Sequence, residues 1–94
     1  MRKYEAVFIF LPSEEEENRN QLLDRFKKII EEDGSVTEVD EWGSRRLAYP
    51  INDLSDGYYV LINFEGKPET ITELDRVAKI SDSIMRHMVI REDE

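Results

Sequence analysis

The sequence predicts an α+β sandwich, a four-stranded antiparallel sheet with two helices on one face, in the order β-α-β-β-α-β. Three observations predict it. Four separate stretches read as strands, the first and third with apolar residues alternating at period two. Two longer stretches with helical spacing separate the first strand from the second and the third from the fourth. A polar turn, rather than a helix, joins the two middle strands. Right-handed crossovers then leave few ways to assemble one sheet, and the result is the ferredoxin-like, split β-α-β arrangement. At 94 residues the chain is expected to form a single domain over 1–94.

The stretch "RKYEAVFIFLP" reads as the first strand. Tyr4, Ala6, Phe8 and Phe10 share one face, and Glu5, Val7 and Ile9 the other. Apolar residues on both faces suit a central strand. Pro12 ends it. "SEEEENRNQLLDRFKKIIEEDG" has helical spacing, with Leu22, Leu23, Phe26, Ile29 and Ile30 as one stripe. Ser13 and Glu16 have the spacing of a capping box, the glutamates suit the positive end of the helix dipole, and Gly34 suits a left-handed C-cap.

"SVTEVDEWG" and "RRLAYPI" form a second strand that kinks at Gly43, where a bulge is permitted. Pro50 has no N–H to donate, so this strand belongs at a sheet edge. "NDLSDG" reads as a turn and "YYVLINFEG" as the third strand, with Tyr58, Val60, Ile62 and Phe64 on one face. Pro68 opens the second helix, whose apolar side is Ile71, Leu74, Val77 and Ala78. "ISDS" is the exit turn, "IMRHMVIR" the last strand, and "EDE" a solvated end. Strands one and three are central in this topology, and two and four are edges. The face away from the helices carries Val7, Ile9, Tyr59 and Leu61, an apolar patch that calls for a partner.

Composition narrows the function. The chain has no cysteine, which removes disulfides, thiolate chemistry and Cys-ligated metals. Ala6 to Pro12 is too short an apolar run to span a membrane, so a soluble, cytoplasmic protein is expected. His87 is the only histidine, and its facing is ambiguous because "IMRHMVIR" does not alternate cleanly. No nucleophilic triad, zinc motif or glycine-rich phosphate loop is present. The glutamate run of residues 14–17 points in several directions on a helix, unlike a calcium loop. No enzyme activity, cofactor, metal or small-molecule substrate is expected. An acylphosphatase-like activity would need a phosphate cradle where "LPSEEEEN" stands, and those carboxylates repel phosphate.

The formal net charge is −9, yet residues 42–51 carry +2. Arg45 and Arg46 stand together there. Arg2 and Lys3 begin the first strand, and Arg86 and Arg91 lie on the last. Arginine's planar fork matches phosphate oxygens, so this set reads either as RNA contacts or as surface charge paired with carboxylates. Neighbours on a strand face opposite ways, so Arg45 and Arg46 do not clamp one phosphate unless a bulge near Gly43 realigns them. Trp42, Tyr49, Tyr58 and Tyr59 are aromatic candidates for stacking or packing. The third strand lacks the aromatic signature of RNA-recognition sheets.

"MRKYEAVFIFLP", "WGSRRLAYPI", "GYYVLINF" and "LDRVAKISDSIMRHMVIRE" together resemble the family of the sixth protein of the bacterial small ribosomal subunit, over essentially the whole chain. The resemblance implies a non-enzymatic structural protein of the small subunit. It implies pairing with the eighteenth small-subunit protein and joint binding to the central domain of 16S ribosomal RNA. Arg2, Arg45, Arg46 and Arg86 fall on the family's basic positions, with Lys3 and Arg91 as further RNA contacts. Trp42, Leu47, Tyr49 and Ile51, on an edge strand, are the expected protein-partner residues. Ser44 replaces a frequent lysine or leucine, the first helix is glutamate-rich, and the acidic end is short. The competing reading is a stand-alone ligand-binding or regulatory domain of the same fold, homodimerising through its sheet.

Overall fold

The computed structural model describes residues 2–51 and 54–92, with Ile51 described by its backbone alone. Asn52 and Asp53 of the expected turn, the last two residues of the expected solvated end, and the Ile51 side chain lie outside the described residues. The elements run β1 (Arg2–Phe10), α1 (Glu16–Asp33), β2 (Ser35–Ile51), β3 (Leu54–Gly66), α2 (Pro68–Ile80) and β4 (Ile84–Arg91). The sheet order is β2-β3-β1-β4, with every pairing antiparallel. The edges are β2 and β4, which accommodates Pro50.

One face of the sheet makes the main core. Tyr4, Ala6, Phe8 and Phe10 of β1 and Val60, Ile62 and Phe64 of β3 meet Leu23, Phe26 and Ile30 of α1 and Leu74, Val77 and Ala78 of α2. Phe8 stacks on Phe26 with ring centroids 4.2 Å apart, fixing α1 against the central strand. Leu22 and Ile29 flank this contact, partly buried. Each fully buried side chain of this kind contributes about 1.5–3 kcal/mol.

Both ends of α1 depart from the sequence expectation. The helix starts at Glu16 with Glu15 in the cap position and no side-chain cap, so the Ser13–Glu16 capping box does not form. Glu14 is engaged instead: its carboxylate accepts from the Glu15 N–H, the Asn18 amide and the Ser83 hydroxyl. The bond from Ser83 joins the helix start to the segment before β4, a long-range tie that local spacing cannot reveal. Gly34 is extended, with φ −151°, and is no left-handed cap. Glycine is required there for space, since a Cβ would lie 1.9 Å from the Glu65 carbonyl oxygen. That close approach lets Ser35 begin pairing opposite Glu65 at once.

The β2–β3 ladder is irregular. Register shifts fall between Val36 and Glu38, between Glu41 and Gly43, and between Arg46 and Ile51. Trp42 is the extra residue of the second bulge, beside Gly43 at φ +82°, a conformation that favours glycine. β3 also starts earlier than the alternation suggests, at Leu54, so part of "NDLSDG" is strand. At the opposite end of the fold, α2 opens on Pro68, where the Lys67 N–H reaches the Thr70 hydroxyl at 3.4 Å.

Candidate nucleic-acid and protein interface

The face of the sheet away from the helices is built by the other half of each alternation. Val7 pairs with Leu61 and Met88, and Ile9 with Tyr59 and Arg86. The register shift between Ile9 and Phe10 leaves Met85 as the extra residue of β4. This bulge explains why the alternation of "IMRHMVIR" is hard to read. After it, Arg86, Met88 and Ile90 share the open face, while His87 and Val89 turn towards the helices. His87 Nε2 lies 3.1 Å from Asp75 Oδ1 on α2, which makes it a link between β4 and α2.

The open face has its own small apolar cluster. Ile9, Leu47 and Leu61 are only 7–8% exposed, although none belongs to the helix-side core. Ile9 Cγ2 and Leu47 Cδ2 both approach the position a Gly57 Cβ would take, so Leu47 packs inward from the β2–β3 hairpin. Around this cluster lie exposed apolar groups: Trp42, Tyr49, Met88 and Ile90. Trp42 stacks on Tyr59, centroids 6.2 Å apart, and its indole N–H donates to Asp40 at 2.9 Å. Tyr58 faces the helices, packed against the core.

The six basic residues do not form one patch. Arg45 lies opposite Gly57 and Arg46 opposite Asp56, so the pair points to opposite sides. The Trp42 bulge lies upstream of both and leaves their alternation intact. Arg45 and Arg86 share the open face near the hairpin end, with Arg46 on the reverse side. Arg2, Lys3 and Arg91 lie at the far end, opposite Gly66, Glu65 and Tyr4. From Arg2 to Ile9 along β1 is roughly 23 Å. Lys3 faces the open side, Arg2 and Arg91 the other.

Of the expected partner residues, Trp42 and Tyr49 are exposed and Leu47 is buried. Met88 and Ile90 add apolar surface that the sequence reading does not single out; their signal is the two-residue spacing that follows the Met85 bulge. No group of three His, Asp or Glu side chains suited to a metal occurs among the described residues. No helix among the described residues is long and apolar enough to cross a membrane.

The family model for ribosomal protein S6 matches residues 3–91. The chain belongs to the ribosomal protein S6 family. The small ribosomal subunit protein bS6 of Alkaliphilus oremlandii is 56% identical over 91 residues, covering 97% of each chain. That of Desulforamulus reducens is 52% identical over the full length of both. The crystal structure of 30S ribosomal protein S6 from Thermotoga maritima superposes with a TM-score of 0.88 at 35% identity, over 97% of this chain and 87% of that one. S6-family members are structural ribosomal proteins of the small subunit rather than enzymes, and their place is the cytoplasmic ribosome. The ferredoxin-like fold expected from the sequence is the fold of that neighbour.

Proposed function

We propose that this S6-family chain is an RNA-bound architectural subunit, acting as one domain over 1–94. It pairs with the eighteenth small-subunit protein, and the pair holds the central domain of 16S ribosomal RNA. One observation carries this reading. In a chain of net charge −9, Arg45, Arg46 and Arg86 gather at the hairpin end of the sheet, next to exposed Trp42 and Tyr49. Phosphate contacts come from these arginines, with Arg2, Lys3 and Arg91 as a second group at the other end. The β2 edge, with Trp42, Tyr49 and Ile51 and with Leu47 as its anchor, takes the protein partner. An acidic chain reaches RNA here because the partner brings much of the positive charge.

The reading is tested by co-purification with the eighteenth protein, then RNA footprinting with and without it. Replacing both Arg45→Ala and Arg46→Ala leaves the fold intact and weakens RNA binding by the pair. Each lost phosphate contact lowers the log–log salt slope by about 0.7–0.9. Unchanged affinity at several salt concentrations overturns the role of those two arginines. A sheet-mediated homodimer that ignores ribosomal RNA overturns the whole reading.

A further inference from the structure

Arg86 Nη1 donates to the Tyr49 hydroxyl at 2.7 Å. The two residues belong to opposite edges of the sheet, β4 and β2, with β1 and β3 between them. On a flat sheet those edges stand about 14 Å apart, so the two side chains reach towards each other over the open face. Their footing is fixed. Arg86 is the cross-strand neighbour of Ile9, and Ile9 and Leu47 both press on the Gly57 position. Tyr49 follows Leu47 by two residues, so the buried leucine sets where the phenol begins.

The chemistry of this contact is unusual for an acidic protein. Among the described residues, Arg86 is held by a neutral phenol and paired with no carboxylate. A phenol orients a guanidinium without cancelling its charge. The hydroxyl oxygen accepts, so its own O–H remains free to donate, and the neighbouring cation polarises it towards stronger donation. The remaining guanidinium N–H groups also stay available. A fixed cation beside a polarised O–H is a donor set that suits the two unesterified oxygens of a phosphodiester.

We infer that Tyr49 and Arg86 form one composite phosphodiester site of the RNA surface, with Tyr49 as the residue that positions the guanidinium and supplies a second donor. This rests on the RNA-bound reading above, and it moves Tyr49 from the protein-partner edge to the RNA side.

The test measures affinity of the chain, paired with the eighteenth small-subunit protein, for 16S central-domain RNA over a salt series. Tyr49→Phe, Arg86→Ala, Arg86→Lys and the double Tyr49→Phe/Arg86→Ala are compared with the unaltered chain. Tyr49→Phe is expected to weaken binding about three- to tenfold with no change in salt slope, because no charge is lost. Arg86→Ala weakens it further and reduces the slope by about 0.7–0.9. The double variant loses less than the product of the two single losses. Arg86→Lys keeps the slope but loses affinity, because an ammonium lacks the planar fork. Wild-type affinity in Tyr49→Phe, or losses that multiply in the double variant, overturn the composite site. Failure of the unaltered pair to hold the RNA overturns the RNA-bound reading itself, a distinct outcome. Matching thermal melts of Tyr49→Phe and the unaltered chain exclude loss of fold as the cause.

Discussion

The guanidinium of Arg19 lies 3.7 Å from the centre of the Tyr58 ring, and the same tyrosine donates its hydroxyl to Glu41 at 2.9 Å. One aromatic side chain on β3 thereby joins α1 to β2. Burial raises the Tyr58 pKa above its ordinary value, and the Glu41 carboxylate adds to the effect. The neutral phenol is the favoured form, so its contribution to stability is full below the unfolded-state value and is lost as pH rises through the higher folded value. Tyr58→Phe keeps the cation–π contact and removes the hydrogen bond. It is expected to cost only about 0.5 kcal/mol, because the bond is solvent-exposed. Arg19→Ala removes the ring contact and costs about 0.5–1 kcal/mol. Urea midpoints and a phenolate absorbance titration of the two variants check both statements.

Gly34→Ala is expected to be far more damaging than its position at a helix end suggests. Its backbone is extended and poses no obstacle to alanine, but the added methyl would meet the Glu65 carbonyl oxygen at 1.9 Å. Relief requires β2 to move away from β3 at its first pair. The expected cost is about 3 kcal/mol, at the top of the overpacking range, and for a chain of this length that lowers Tm by more than about 10 °C. A thermal melt decides it.

Leu47→Ala tests whether the open-face cluster supports the hairpin. Leu47 is 8% exposed, and its removal is expected to cost about 2 kcal/mol. Hydrogen exchange separates this from a core defect. Protection falls over the hairpin, near Arg46 and Gly57, while the amides of Phe8 and Ile62 stay protected up to the lowered global stability.

Glu14 gives an acid-side prediction. The Ser83 hydroxyl and then the Asn18 amide hold its pKa below the ordinary carboxylate value. A depressed folded value means the stabilisation is present above the unfolded pKa and is lost as pH falls through the folded one. Ser83→Ala is therefore less stable than the unaltered chain at neutral pH, and the difference shrinks on acidification below the ordinary glutamate range. Denaturation midpoints at a series of pH values from neutral to strongly acidic measure it. A gap between the two chains that persists at the acid end contradicts it.

The central strands were legible because burial on both faces leaves a direct trace: β1 and β3 alternate cleanly between core and open-face residues. Pro68 marked α2 for an equally local reason. The start of α1 is not legible locally: Ser13 has the right spacing for a cap, but Glu14 binds Ser83 across the fold instead. Gly34 sits where a helix end suggests a dihedral preference, but its cause is a neighbour thirty-one positions away in sequence. Bulges at Thr37 and Met85 carry no glycine and so no local mark. At the proposed interface, the basic residues could be named from sequence. Their division between two ends and two faces depends on strand register, and the Tyr49–Arg86 contact depends on how two opposite edges approach.

The two bulges in the first half of β2 have a joint consequence. Before Thr37 the even-numbered residues face the helices; between Thr37 and Trp42 the odd-numbered ones do; after Trp42 the even-numbered ones do again. The second insertion cancels the phase change made by the first. Each insertion is absorbed where it occurs, because Glu41 stays opposite Val60 and Gly43 opposite Tyr59. Removing Trp42 would close the bulge and leave Leu47 and Arg45 on their present face, whereas removing Ser44 from the regular pairing beyond it would exchange Arg45 for Arg46 on the outward surface and turn Leu47 away from Ile9.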